Sequence, residues 1–351
     1  MMMEDVTMLD RPNMELPVQH IGLTYDLRDD YEDRGYSEES LSEFDSIETI
    51  EAIERSLWCH GYTTERIGNV RSLAKKLVEG QRWSMVFNLA EGLSGRSREA
   101  QVPCLLEAYD IPYVFSDPLT QAVTLDKSIA KRLVRDSGIP TPRFKVIENI
   151  KDILSCDLSY PVFVKPIGEG TGKGCSNASR IMDQDQFIHV ATSLIFRFNQ
   201  PVLAEEYLPG REFTVGILGN GSDARVLGVM EILLGENAEE NAYSYENKAN
   251  YLDRVTYKLA DDEEATQAAS NALAAYHALG CLDASRLDFR SDALGVPNFI
   301  EANTLAGLNP IHSDLPILAA KTGMPYETLI LEITKAAHAR HGITGHVHSM
   351  F

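Results

Sequence analysis

Two short segments near the C-terminal end, SRLDFR (285–290) and FIEAN (299–303), hold the residue types best suited to chemistry. Both alternate apolar and polar residues, as a strand does when successive side chains point to opposite faces. The first would place Arg286, Asp288 and Arg290 on one face, with Leu287 and Phe289 on the other. The second would place Glu301 and Asn303 together, with Ile300 and Ala302 opposite. If the strands pair, oxygens of Asp288, Glu301 and Asn303 converge. Carboxylates with an amide carbonyl suit Mg²⁺, which completes its shell with water and substrate phosphate. Either strand alone reads as the solvated face of an antiparallel sheet. The pair, followed by the loop GLNP (307–310), reads as a metal site.

The stretch PVFVKPIGEGTGKGCSN (161–177) is a second candidate, because glycine-rich loops wrap backbone amides around phosphate. It is not a Walker A loop, which needs glycine where Ile167 stands and Ser or Thr where Gly174 stands. Nor is it a dinucleotide-binding turn, since the third glycine falls on Lys173 or Cys175. The remaining readings are a plain flexible turn and a phosphate-binding loop of another kind. Lys165 closes an apolar run just before Pro166, which makes it the lysine least suited to be a solvated surface charge.

These residues sit in a chain of 351 residues, 44% hydrophobic and 24% charged, long enough for two or three domains. A formal net charge of −20 argues against nucleic acid and anionic membranes as partners, and any anionic ligand needs local cations or a metal. No apolar run reaches the roughly 18 residues of a membrane span, and the polar start MMMEDVTMLDRPNMELP lacks the order of a signal peptide. Five cysteines without C-x-x-C spacing read as reduced thiols of a cytoplasmic protein. His346 and His348 in the tail read as solvated.

Positioning falls to strands and helices that alternate from 18 to 118, an α/β layer with a parallel sheet. Its acidic stretch from Asp26 to Glu54 has twelve acidic residues against two arginines, and Asp45 with Glu48 forms a capping box for a helix carrying Ile47, Ile50, Ile53 and Leu57. SMVFNLA reads as a buried strand, and REAQVPCLLEAYDIPYVFSD as helix, turn and strand. TLDKSIAKRLVRDSGIP reads as a helix ending at Gly138 and Pro140. A second unit covers 119–203 and a third 204–340, their boundary falling within the strand PVLAEEYL (201–208), which the hairpin REFTVGILGN/ARVLGVMEIL follows. A helix over 262–279, the two chemical strands, a loop to Pro316 and a helix near 326–339 complete it.

RLDFRSDALGVPNFIEANTLAGLNPIHSDLP resembles the closing region of the ATP-grasp fold as found in the D-alanine–D-alanine ligase family. PVLAEEYLPGREFTV, YSYENKA and IPYVFSDPLTQAVTLDKSIAKRLV resemble the same family in the same order, over roughly residues 80 to 335. The resemblance implies a three-domain α/β fold, with a Rossmann-like first domain and ATP between the central and C-terminal domains. Lys127, Lys165 and Lys248 would contact ATP phosphates. Glu205, Glu206, Tyr207 and Leu208 would line the adenine pocket, mainly through backbone groups, with Glu212 on the ribose. Asp288, Glu301 and Asn303 would hold two Mg²⁺ ions, for which Mn²⁺ could substitute. Arg286 and the Gly307 N–H would form an oxyanion hole, and Ser313 would bind the carboxylate of the accepting amino acid. The implied reaction phosphorylates a carboxylate with ATP and forms an amide when an amine attacks. Its substrates are small amino-acid or peptide-like molecules, and a homodimer through the first domain is implied.

The first-substrate half departs from the family. GLTYDLRDDYEDRGYSEES stands where a glycine-rich loop and an ammonium-binding glutamate are usual, with Glu43, Asp45 and Glu48 as candidates by position only. Thr171 replaces the loop serine, Ala249 a tyrosine, and FNLAEGLSGRSREAQVP an H-G-x-x-G-E-D-G segment. Three readings are open: a carboxylate–amine ligase with a different first substrate, an authentic D-alanine–D-alanine ligase, and a nucleotide-binding regulatory or phosphotransfer module. The set of Arg286, Asp288, Glu301, Asn303 and Gly307 speaks against the third.

Overall fold

The computed structural model describes residues 20–32, 35–235, 237–238, 247 and 251–343. Apolar runs buried on both faces suit a parallel sheet covered by helices. Accordingly β1 (His20–Thr24), β2 (Thr63–Gly68) and β3 (Met85–Asn88) form a parallel sheet in the order β2-β1-β3. Ile21, Leu23, Met85, Val86 and Phe87 are wholly buried there, against the helices Ile47–Cys59, Val70–Val78 and Gln101–Ala108. The strand expected at the end of DIPYVFSD is a single bridge, Val86 to Tyr113. The expected capping box is also absent, because Ser46 and not Asp45 precedes the helix. The Asp45 carboxyl is pushed up to about 7 by burial and by Asp26, the reverse of what helix N–H donors would do.

The central sheet is antiparallel, ordered β4-β7-β5-β6, from β4 (Phe144–Ile147), β5 (Val162–Pro166), β6 (Arg180–Ile181) and β7 (Val202–Glu206). The glycine stretch therefore joins two antiparallel strands. The expected boundary near 204 falls inside β7, which pairs with β4 and β5.

The third sheet, ordered β10-β9-β8-β11-β12, is antiparallel, with β8 (Glu212–Leu218), β9 (Arg225–Leu234), β10 (Val255–Leu259), β11 (Ala284–Ser291) and β12 (Pro297–Asn303). Helix Glu263–Leu279 covers it with a row of alanines, Ala265, Ala268, Ala272 and Ala275. The helix expected from Thr124 begins at Lys127, because the Asp126 carboxylate caps it through the Ser128 and Ile129 N–H groups. Thr124 and Leu125 close a separate helix, Pro118–Leu125. Ala130 and Val134 of Lys127–Asp136 join the core of the third sheet, with Phe213, Leu287 and Phe299. The loop expected to reach Pro316 already contains the start of the helix Asp314–Lys321, which precedes the helix Tyr326–Arg340.

One buried carboxylate fastens the first sheet to the third. Asp283 is wholly buried and accepts the Phe115 N–H at 2.8 Å, Asn220 Nδ2 at 2.9 Å and Arg340 Nη2 at 2.8 Å. Arg340 also donates to the carbonyls of Tyr113 and Phe115. Removing one member of a buried ion pair leaves the other uncompensated, at a cost of about 3–5 kcal/mol. Asp283→Ala should lower stability by about that amount in urea unfolding, and a loss under about 1 kcal/mol would show that the joint is held elsewhere.

Candidate active site

Antiparallel pairing sets Asp288 opposite Glu301 and Arg286 opposite Asn303, so the two strands do meet as their alternation implies. The alternation breaks after Glu301. Phe289 pairs with Phe299, and Ile300 is the extra residue of a bulge. Phe299 and Ala302 therefore face the core, whereas Ile300 joins Glu301 in lining a cavity instead of turning away from it.

That cavity lies between β5–β7 and β11–β12. Its walls include Lys127, Lys165, Glu205, Glu206, Tyr207, Leu208, Glu212, Asp288 and Glu301, most of the residues expected to hold a nucleotide and its metal. Tyr207 is stacked by Arg180 and Arg290, 4.5 and 5.2 Å from the ring centre, and Arg290 pairs with Glu212 at 3.4 Å. Lys248 lies outside the described residues. A smaller adjoining cavity is lined by Glu99, Lys127, Gly170, Glu301 and Asn303, and so connects the metal carboxylates to the glycine loop.

Each cation in the cleft rests on a carboxylate. Lys127 Nζ is 3.2 Å from Glu301, and Lys165 Nζ is 2.7 Å from Glu205. Burial alone would lower the Lys165 pKa, but Glu205 and Glu301 outweigh it and hold the group above the usual lysine range. Arg286 donates to both Asp288 oxygens, at 3.1 and 2.9 Å, and to Asp314 at 3.0 Å. Asp288 also accepts Thr214 Oγ1 at 2.8 Å and Asn303 Nδ2 at 3.2 Å.

Among the described residues, no three His, Cys, Asp or Glu side chains form a metal cage. Two carboxylates and one amide are a donor set for Mg²⁺ that keeps waters and takes phosphate oxygens, and the residues present fit that use. Gly307 approaches Ser313 so closely that a Cβ would lie 2.8 Å from Ser313 Oγ. Ser313 Oγ accepts the Asn309 N–H at 3.0 Å, which folds the loop before the helix Asp314–Lys321.

Two contributors escaped the sequence reading. Lys131 is wholly buried and pairs with Glu205 at 2.6 Å, one helical turn from Lys127 on the same face. That spacing was the available signal. Arg98 comes from the replaced segment and acts on the glycine loop. The loop is clasped by Glu43, which accepts the Gly170 N–H at 2.7 Å and pairs with Lys173 at 2.6 Å and Arg98 at 3.1 Å. Arg98 donates to the Gly168 carbonyl, Glu39 accepts the Gly174 N–H, and Ser42 Oγ meets Thr171 Oγ1 at 3.0 Å. Glu43, a candidate for a substrate ammonium, is thus engaged by the protein's own cations.

The chain matches a family profile described as D-ala D-ala ligase C-terminus over residues 133–335. An uncharacterized protein of Sinorhizobium fredii is 36% identical over 269 residues, covering 74% of this chain and 77% of that one. A D-alanine–D-alanine ligase of Bordetella petrii is 34% identical over 272 residues, covering 76% and 79%. Among solved structures, D-alanine–D-alanine ligase of Bacillus anthracis complexed with ATP superposes with a TM-score of 0.69 at 22% identity, over 93% of this chain and 100% of that one. VanG D-Ala:D-Ser ligase of Enterococcus faecalis gives 0.69 at 20% identity, over 91% and 99%. At those identities the structural likeness shows the fold, the ATP-grasp fold.

Burial would raise the Glu43 carboxyl, but Arg98 and Lys173 outweigh it and keep its pKa below the ordinary 4.5. The clasp is therefore at full strength above pH 4.5 and weakens only as pH falls through that lowered value. Glu43→Gln at neutral pH should speed tryptic cleavage after Lys173 about tenfold, the effect of losing charge-assisted hydrogen bonds. An unchanged cleavage rate would show that other contacts hold the loop.

Proposed function

Because the chain belongs to the D-alanine–D-alanine ligase family, we propose that its cleft joins an amino-acid-like carboxylate to an amine other than by pairing two D-alanines. Membership makes it an ATP-grasp C–N ligase that uses ATP and Mg²⁺. The residue roles and the substrate choice are the proposal. The observation that carries it is the single cavity where Lys127, Lys165, Asp288 and Glu301 meet beside Arg286, whose side chain is 11% exposed.

ATP would supply the phosphoryl group that activates the carboxylate, leaving ADP. The amine attacking that carboxyl carbon would expel inorganic phosphate and lose a proton, and Mg²⁺ would neutralise the phosphate charge. The chain's own residues position and compensate charge. Lys127 and Lys165 face the phosphates, with Lys248 added by the family likeness alone. Tyr207, Leu208 and the backbone of Glu205 and Glu206 border the base, and Glu212 the ribose. Asp288, Glu301 and Asn303 present oxygens to the metal.

Burial would lower the pKa of Arg286, but Asp288 and Asp314 overcome it, so the guanidinium stays charged next to the reacting carbonyl. With the Gly307 N–H it stabilises the developing oxyanion, an effect worth roughly 3 kcal/mol. Ser313 donates its hydroxyl hydrogen to the acceptor's carboxylate while its oxygen still accepts the Asn309 N–H, and Thr171 supplies the loop hydroxyl. A first substrate different from D-alanine is supported by the engagement of Glu43 with Arg98 and Lys173. A three-domain division follows the three sheets, with β7 in the central one. Pairing of two copies through the first domain and a cytoplasmic location rest on the family likeness and composition.

The test is phosphate release from ATP and Mg²⁺ across an amino-acid panel, with products identified by mass. Release should require a carboxylate and an amine together and yield their amide. D-alanine alone sufficing would replace the altered-substrate reading, and no stimulation by any pair would overturn the ligation. Arg286→Ala should retain MgATP binding and lose about a hundredfold or more in turnover. Unchanged turnover would remove Arg286 from the oxyanion role.

A further inference from the structure

The adenine-side carboxylate has one cation more than the cleft chemistry accounts for. Glu205 is almost wholly buried and touches two lysines, Lys165 at 2.7 Å and Lys131 at 2.6 Å. The two differ in freedom. Lys165 lines the cavity with Glu205, so its ammonium has a second acceptor whenever an anion enters. Lys131 is wholly buried and tethered from the other side, donating to the Phe299 carbonyl of β12 at 2.9 Å and to Thr141 Oγ1 at 3.1 Å. It therefore spans the two sheets that form the cleft, and Glu205 is its one carboxylate within ion-pair distance among the described residues.

From this arrangement the geometry points to Lys131 as a positioning residue, the permanent counter-charge that keeps Glu205 ionised when Lys165 leaves it for a nucleotide phosphate. A buried carboxylate that loses its last cation must pay desolvation unaided or take up a proton. With Lys131 in place, Lys165 exchanges one anionic partner for another and Glu205 is never unpaired. Without Lys131, Glu205 competes with the phosphate for Lys165, and nucleotide affinity falls. Burial pushes the Lys131 ammonium down to about 8 even beside Glu205, which shows how costly the ion would be there alone. The inference rests on the proposed placement of ATP in this cleft.

A double-mutant cycle on the full chain tests it, reading the MgATP dissociation constant by calorimetry and folding by thermal unfolding. Lys131→Met should weaken MgATP binding about tenfold or more, and Lys131→Arg should recover most of that loss. Lys131→Met combined with Glu205→Gln should bind at least about fivefold tighter than Lys131→Met, because the carboxylate needing compensation is gone. A merely structural lysine predicts no such rescue, so binding equal to or weaker than that of Lys131→Met overturns the role, as does Lys131→Met binding like wild type. Should Lys131→Met alone fail to fold, a double variant that folds and binds within about tenfold of wild type supports the role, and any other result overturns it. Failure of wild type itself to bind MgATP would instead remove the nucleotide reading.

Discussion

The cleft depends on neutralising buried charge before any ligand arrives. A chain with a net charge of −20 that presents several cations to a triphosphate must keep those cations in place when the site is empty. It does so with internal carboxylates: Glu301 for Lys127, Glu205 for Lys165, Asp288 and Asp314 for Arg286, Glu43 for Lys173 and Arg98. Such pairs return little net stability, because desolvation of both partners nearly cancels their attraction. That near balance is useful in a binding site. A phosphate oxygen or a metal ion can take over one partner at small cost, provided the other is not abandoned.

The three sheets supply the geometry for this exchange. β7 offers Glu205 from the central sheet, β11 and β12 offer Asp288 and Glu301 from the third, and helix Lys127–Asp136 runs between them carrying two of the lysines. Asp126 fixes the start of that helix, and thereby the height of Lys127 and Lys131 against the strands. The first domain's contribution falls on the glycine loop, through Arg98 and the segment carrying Glu39 and Glu43. Residues that precede the span matched by the family profile, Glu39, Glu43 and Arg98, thus hold the glycine loop.

What was legible in the sequence was local. Period-two alternation located β11 and β12 and the face carrying Asp288, Glu301 and Asn303, because each strand's pattern is complete within seven or eight residues. The same rule failed at Ile300, since a one-residue bulge leaves no mark in composition yet reverses which side chain faces the cavity. Lys131 was hidden for a related reason: a lysine on a helix reads as solvated until its carboxylate, 74 residues away in Glu205, is brought beside it. The D-x-x-E pattern at Asp45 misled because its backbone is bridged to Asp26 and Arg28, which leaves Ser46 to precede the helix.

The glycine loop shows why those long-range pairings matter for function. Its glycines permit positive φ at Gly172 and Gly174, and Thr171 adopts φ +48 within the same turn. Those angles allow amide N–H groups to point the same way, as a phosphate-binding loop requires. In this chain two of the N–H groups, at Gly170 and Gly174, are met by Glu43 and Glu39. Carboxylates thus already occupy part of the loop's donor set, so any anion approaching those N–H groups meets a carboxylate and not only water. The conformations of the glycine loop and of the segment carrying Glu39 and Glu43 are therefore tied to the same hydrogen bonds. The segment carrying Glu43 thereby acts on the cleft through the glycine loop without itself lining the cavity between β5–β7 and β11–β12.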